Sequence, residues 1–207
     1  MKKLDYKIIA TGSRGNAVRI ENIMIDCGIS FSRVRDELQK VDTLLITHAH
    51  SDHVKDHTIN QIRHVFPEIT IYANADVAYQ YDVDNVIGTV PFRLDSKRKI
   101  TPFPGVHDVP VTGYIIEMKK LSILYMTDSA VIKPPDDRKY DYLFLESNYD
   151  IRKLRERSKK YRRRGYDPYL SSSTRHLSTQ KCKEFYFVNR RNENSKLIEL
   201  HQSERFY

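Results

Sequence analysis

No stretch of this chain approaches the roughly 18 consecutive apolar residues that a membrane-spanning helix needs, so a membrane protein is not expected. Cysteine is scarce. Only Cys27 and Cys182 are present, far apart and without CxxC spacing, which excludes a disulfide framework and a cysteine-rich zinc knuckle. The opening MKKLDYKIIATGS is positively charged but lacks the apolar core of a signal peptide. A reducing, cytoplasmic setting is the expectation. There is no low-complexity tract and no repeat. The length of 207 residues predicts one domain, 1–207, large enough for a sizeable core.

Acidic excess is also missing. The net charge is +8, and its distribution says more than its size. The window 152–164, RKLRERSKKYRRR, carries nine Lys/Arg and one Glu. Of the 35 basic and 27 acidic residues in the chain, the remainder then balances at 26 of each sign. A basic segment on a neutral body points to a polyanionic partner such as nucleic acid or a nucleotide phosphodiester. The alternative is a solvated surface helix. Arg162, Arg163 and Arg164, which end the run, are the candidate substrate-binding cations. Tyr161, Tyr166 and Tyr169 flank it and are available to stack on bases.

Several segments read as strands from their β-branched and aromatic content and their Gly, Pro, Asn or Asp borders. They are 6–11, 17–26, 42–47, 68–74, 111–119, 120–128, 141–147 and 196–200. Helices are expected at 32–40, at 57–66, from about 150 to 164, and from Ser178 through Phe187, where Ser178 supplies the N-cap. The stretch 88–105 has three of the chain's eight prolines and reads as a loop between halves. Strands with interspersed helices give an α/β or α+β class with helix-covered sheets.

The chemistry concentrates in LLITHAHSDH, residues 44–53. In an extended backbone residues two apart face the same side, so His48 and His50 point one way and are suited to a single ion. Asp52 and His53, after the chain turns, offer an oxygen and a nitrogen to a second ion. Imidazole with carboxylate suits zinc, and also manganese or iron. Two open ions close together activate water for attack on phosphorus or carbonyl carbon. A polar surface loop with incidental histidines is the competing reading, and H-x-H-x-D-H directly after a buried strand makes it the weaker one. A dinuclear centre wants about seven donors. His107, Asp128 and His201 each adjoin a β-rich segment and are the candidates for the remainder. Asp26 and Glu146 are either carboxylates that fix imidazole tautomers or ordinary strand-end residues. His57 and His64, seven apart, read as surface or packing residues of a helix. The turn Gly12, Ser13, Gly15, Asn16 either presents N–H groups to a phosphate or is a structural hairpin turn.

Together with ATGSRGNAVRI (10–20), IMIDCGIS (23–30), GVHDV (105–109), MTDSA (126–130), FLESNYD (144–150), RHLS (175–178) and LHQSERF (200–206), the HAHSDH loop resembles the metallo-β-lactamase superfamily of hydrolases. The resemblance runs along nearly the whole chain and is nearest to the WalJ (YycJ)-like branch, related to ribonuclease Z-type phosphodiesterases. It implies a four-layer αββα sandwich. It implies that His48, His50 and His107 hold one divalent ion, that Asp52, His53 and His201 hold another, and that Asp128 bridges them, with zinc first and manganese second. It places His176 beside the scissile phosphate. Exchanging His176 with His201 would keep the chemistry. Asp52 and His176 are the catalytic candidates: Asp52 orients a bridging hydroxide, and His176 contacts the phosphate or donates a proton. Asp56, Tyr149, Arg175 and Gln202 depart from the family pattern, and none is a proposed ligand. A metal-dependent nuclease, an exonuclease among them, is the leading expectation. A cyclic-nucleotide phosphodiesterase of the phage anti-defence kind is the alternative. A non-catalytic nucleic-acid-binding domain ranks third, because it predicts missing ligands. The resemblance leaves a homodimer open.

Overall fold

The apolar runs of the N-terminal part assemble into one mixed sheet. In the computed structural model, which describes residues 3–161 and 174–203, the strands are β1 (Tyr6–Ala10), β2 (Ala17–Ile20), β3 (Ile23–Ile25), β4 (Thr43–Leu45), β5 (Thr70–Ala73) and β6 (Asn85–Val86). They lie side by side in chain order. The first three pair antiparallel, and β3 through β6 pair parallel. Parallel neighbours need crossover connections. These are α1 (Phe31–Leu38), α2 (Asp56–Val65) and α3 (Ala75–Tyr81). Val34 and Leu38, Ile59 and Ile62, and Val77 from the three helices share one core with Met24, Leu44 and Ile71 of the sheet. This unit spans Met1–Gly88.

The expected single strand at 17–26 is a hairpin. Glu21 takes a left-handed φ of 52° at its turn, so β2 and β3 fold back on each other. The hairpin carries an ion network. Arg19, only 3% exposed, bonds Glu37 of α1 at 2.7 Å and Asp5 at 2.9 Å, and Lys7 reaches Glu37 at 2.8 Å. Helix α3 was not expected from the sequence. Asn74 caps it by accepting from Val77 N at 3.0 Å, and its amide donates to the carbonyl of Thr47 at 3.2 Å.

The second unit, Thr89–Tyr207, holds β7 (Phe92–Arg93), β8 (Arg98–Pro104), β9 (Thr112–Met118), β10 (Leu121–Met126), β11 (Tyr142–Glu146) and β12 (Lys196–Leu200). The order is β12-β11-β10-β9-β8-β7. β7 to β10 pair antiparallel, and β10, β11 and β12 pair parallel. Helix α4 covers Ile151–Tyr161 and α5 covers Thr179–Asn189. Ser178 caps α5 as expected, its hydroxyl accepting from Lys181 N at 3.2 Å. Cys182, Phe185 and Tyr186 of α5 pack with Ile115, Leu124, Leu143 and Leu145 of the sheet.

The stretch 88–105, expected as a loop, holds β7 and the whole of β8. The prolines misled because proline is barred from the interior of a sheet. The partner strand β7 is only two residues long and pairs with Lys99 and Ile100. Beyond them one side of β8 is an open edge, and Pro102 and Pro104 sit there without breaking a ladder.

Each unit is a mixed sheet with helices packed on it, the helix-covered sheets expected from the sequence. In the first, the parallel strands β3 and β4 finish at one edge and release Asp26 and the HAHSDH loop. In the second, β8, β10, β11 and β12 all finish at one edge. Glu146 ends β11, His201 follows β12 directly, and Asp128 and His107 lie two and three residues past β10 and β8. Among the described residues no helix is long and apolar enough to cross a membrane.

Candidate metal centre

The HAHSDH loop is built from both sides. Beyond β4 the chain passes Thr47 and reaches His48, then closes a turn in which His53 N and Val54 N donate to the carbonyl of His50 at 2.8 and 3.0 Å. The turn gathers the rings. His48 and His50 have centroids 4.8 Å apart, and His48 and His53 are 4.0 Å apart. The Asp52 carboxylate lies 3.6 Å from His53 Nε2. His48 and His53 are fully buried, while His50 and Asp52 are half-buried.

Asp26 anchors this loop. It sits at a left-handed φ of 62°, a conformation rare outside glycine, asparagine and aspartate, and this turns its carboxylate under the loop. The carboxylate accepts from Thr47 N at 2.8 Å, from the Thr47 hydroxyl at 2.9 and 3.0 Å, and from His53 Nδ1 at 2.7 Å. Burial raises its pKa, and the bonds from His53 and Thr47 only partly oppose that. Asn16 acts from the other side. Its amide lies 2.9 Å from His53 Nε2 and donates to the Asp52 carbonyl at 3.1 Å, and its backbone N donates to the same carbonyl at 2.7 Å. Of the two readings open for the 12–16 turn, the contacts fit the structural one. Sequence reasoning gave Asn16 no role at the loop, because nothing in a Gly-containing turn announces a partner 36 residues away. Gly28 is fixed by the same close approach, since an added Cβ would collide with the Asp52 carbonyl.

The second unit gathers a different set. Asp128, Glu146, His176 and His201 each offer a ligand atom, and those atoms lie within 4.8 Å of one another. Glu146 Oε1 accepts from His176 Nδ1 at 2.7 Å and from His201 Nδ1 at 3.0 Å, while Oε2 accepts from Ser129 N and Leu177 N. Asp128 Oδ1 is 3.3 Å from Nδ1 of both histidines. Asp128 and His201 share a left-handed φ of 51°, the same device that aims Asp26. Burial and the Asp128 charge press the Glu146 pKa upward, but the two imidazoles outweigh them and it is lowered. Burial disfavours the His176 imidazolium, yet Asp128 and Glu146 raise it to about 9. The His107 ring lies 5.2 Å from that of His176, with Nδ1 3.0 Å from the Arg175 carbonyl and Nε2 3.0 Å from Asp108 Oδ1. Arg175 also reaches Asp108 at 3.0 Å. Burial lowers the pKa of His107, although Asp128 and Asp108 oppose it.

The donor chemistry fits divalent ions. A histidine that donates through Nδ1 to a carboxylate keeps its Nε2 lone pair for a metal. His201 on Glu146 has that arrangement; His53 is likewise held through Nδ1 by Asp26, with its Nε2 beside the Asn16 amide, and His176 is held through Nδ1 by Glu146. Asp26 and Glu146 therefore meet the imidazoles, which resolves the choice between tautomer control and an ordinary strand-end carboxylate. His57 and His64 lie exposed on α2, as expected. Arg162, Arg163, Arg164, Tyr166 and Tyr169 fall outside the described residues, as does the side chain of Tyr161.

Residues 21–156 match the family described as the beta-lactamase superfamily domain. An exodeoxyribonuclease WalJ of Streptococcus pneumoniae serotype 2 (strain D39 / NCTC 7466) is 25% identical over 190 residues, covering 76% of this chain and 67% of that protein. Human tRNase Z, short form (ELAC1), superposes with a TM-score of 0.72 at 17% identity over 97% of this chain and 93% of that one. The metallo-beta-lactamase fold protein YhfI of Bacillus subtilis gives a TM-score of 0.72 at 16% identity, covering 97% and 86%. The structural likenesses establish a metallo-β-lactamase fold.

Proposed function

The chain belongs to the beta-lactamase superfamily domain family, and on that premise we propose that it is a metal-dependent phosphodiester hydrolase acting on nucleic acid. The observation that carries this reading is the set of carboxylate-locked imidazoles, with Asp26 holding His53 and Glu146 holding His176 and His201. Histidines that merely fill a core need no carboxylate to fix which nitrogen faces outward. In this reading His48, His50 and His107 would hold one ion and Asp52, His53 and His201 a second, with Asp128 as a further ligand. Zinc is the first choice and manganese the second.

Bound divalent ions supply Lewis acidity to the attacking water and to the phosphoryl oxygens. The rest falls to the chain. Asp52 orients the attacking water. His176, fixed through Nδ1 on Glu146, presents Nε2 to the phosphate and hands a proton to the leaving oxygen. Helix α4 begins five residues after Glu146, and Arg152, Lys153, Arg155 and Lys159 stand exposed on it while Leu154 and Ser158 turn inward. Cations on one side of a helix suit a phosphate backbone. A relative named as an exodeoxyribonuclease supports a polynucleotide substrate.

The test is a substrate panel with purified protein in zinc or manganese. It should hold linear DNA, RNA, cyclic mononucleotides and bis-p-nitrophenyl phosphate, with Asp52→Ala as control. Hydrolysis of a polynucleotide should vanish in the variant and fall steeply from low to moderate salt. Cleavage confined to cyclic mononucleotides and indifferent to salt would move the reading to a small-substrate phosphodiesterase. No turnover of any phosphodiester would sink it.

A further inference from the structure

The second sheet has two ends. At one, β8, β10, β11 and β12 finish and present His107, Asp128, Glu146 and His201. At the other, β8 and β10 begin and β9 finishes. The six residues of β10 separate the ends by about 20 Å at the usual rise of a strand. At this far end a hollow of about 270 Å³ opens, ringed by Arg93, Lys97, Lys99, Lys119, Lys120 and Arg191. One carboxylate, Glu117, shares the lining. It lies 3.3 Å from Lys99 Nζ and 3.1 Å from Arg138 Nη1, and Arg191 meets Asp141 at 2.9 Å. Six cations around one lining carboxylate repel one another, and an anion in the hollow would relieve that.

A second observation points the same way. Ser122 is in the wall of the hollow and is 6% exposed. Its backbone N donates to Asp141 Oδ2 at 2.8 Å, but its Oγ has no hydrogen-bond partner among the described residues. Buried hydroxyls are nearly always paired, so an orphan one marks a place for a ligand oxygen. The register places it. Ser122 stands opposite Glu117, and Glu117 opposite Lys99, so the three side chains leave the same face of the sheet.

We propose that this hollow is a second anion site that takes phosphate groups, apart from the metal centre. Lysines, arginines and a hydroxyl donor match phosphate oxygens. No aromatic residue is among its described lining residues, so it has no platform for a base. The ligand is therefore recognised by its phosphates, whether they belong to a small polyphosphate or to a nucleic-acid strand. The proposal needs no metal ion and does not depend on hydrolysis.

The experiment uses the full chain in the presence of a chelator, which silences the metal centre. Calorimetric titration with inorganic pyrophosphate should give saturable binding. Charge reversal by Lys97→Glu with Lys120→Glu should weaken it at least about tenfold, because two of the cations then repel the ligand. Ser122→Ala should weaken it by about threefold. Circular dichroism checks that each variant is folded, and Arg93→Glu replaces the double variant if that one is not. Anisotropy with a short single-stranded oligodeoxynucleotide identifies the source. Parallel loss of both ligands means a strand anchor, and loss of pyrophosphate alone means a small-anion site. Failure of the wild-type chain to bind pyrophosphate, or equal binding by wild type and charge-reversed variant, would overturn the proposal.

Discussion

The two clusters of candidate ligands are made in opposite ways. In the first unit His48, His50, Asp52 and His53 lie within six consecutive positions, and a single turn closed on the His50 carbonyl gathers them. In the second, His107, Asp128, His176 and His201 span almost a hundred residues, and no local turn joins them. The parallel register of β10, β11 and β12 brings the strand ends to one edge, and Glu146 ties two of the imidazoles together. A loop of the first kind carries its own geometry. A cluster of the second kind exists only while the sheet does. The difference is sharpest where the two are expected to behave alike: Asp52→Ala and Asp128→Ala should both take phosphodiester hydrolysis to background at saturating metal. Retained turnover in Asp128→Ala alone would mean that the loop suffices and that the second cluster is structural.

The next largest effect separates the two histidines on Glu146. His176→Ala should lower the hydrolysis rate by about 10²- to 10⁴-fold, the range of a lost general acid, and leave bound metal per chain unchanged by mass spectrometry. His201→Ala should lose metal. An exchange of these outcomes would assign the ligand role to His176. Smaller effects follow from the supporting carboxylates. Asp26→Asn and Glu146→Gln should each cost about 10- to 100-fold in metal affinity or rate. Glu146→Gln should cost more, since Glu146 holds two rings and Asp26 one. A larger loss in Asp26→Asn would show that the compact loop depends on its anchor more than the dispersed cluster depends on its hub.

The same contrast explains what the sequence made legible. H-x-H-x-D-H names its chemistry because the spacing itself creates the geometry. Asp128 and His201 became candidates only through their place after strand-like runs, and the family resemblance gave them their roles. Asn16 was invisible as a partner of His53, because the contact is made by the fold and not by any neighbour in sequence. Helix α3 was missed because it is only seven residues long and its cap, Asn74, is also the last residue of the strand expected at 68–74. β8 was missed because its prolines sit on an edge that exists only when β7 stops short. The His107 loop shows the limit most plainly. Neither Asp108 nor Arg175 carries a signal that they meet at 3.0 Å.

If the loop carries its own geometry, damage elsewhere in its unit should cost stability and spare metal binding. Glu37 provides that test, since its network with Arg19, Lys7 and Asp5 shares no residue with the loop. Lys7 and Arg19 lower the Glu37 pKa to about 2, against the opposing pull of burial. A carboxylate whose pKa is depressed on folding stabilises the fold above its unfolded value and loses that contribution as pH falls toward the folded value. The contribution is therefore complete above about pH 4.5 and fades toward pH 2. Glu37→Gln should lower stability by about 1.5–3 kcal/mol near neutrality, the usual loss of hydrogen bonds to a charged group. Urea melts of the variant and the wild type should converge as pH falls through that window. Zinc content and hydrolysis at neutral pH should match the wild type. A variant that loses zinc along with stability would show that the loop borrows its shape from the rest of the unit, as the dispersed cluster does from its sheet.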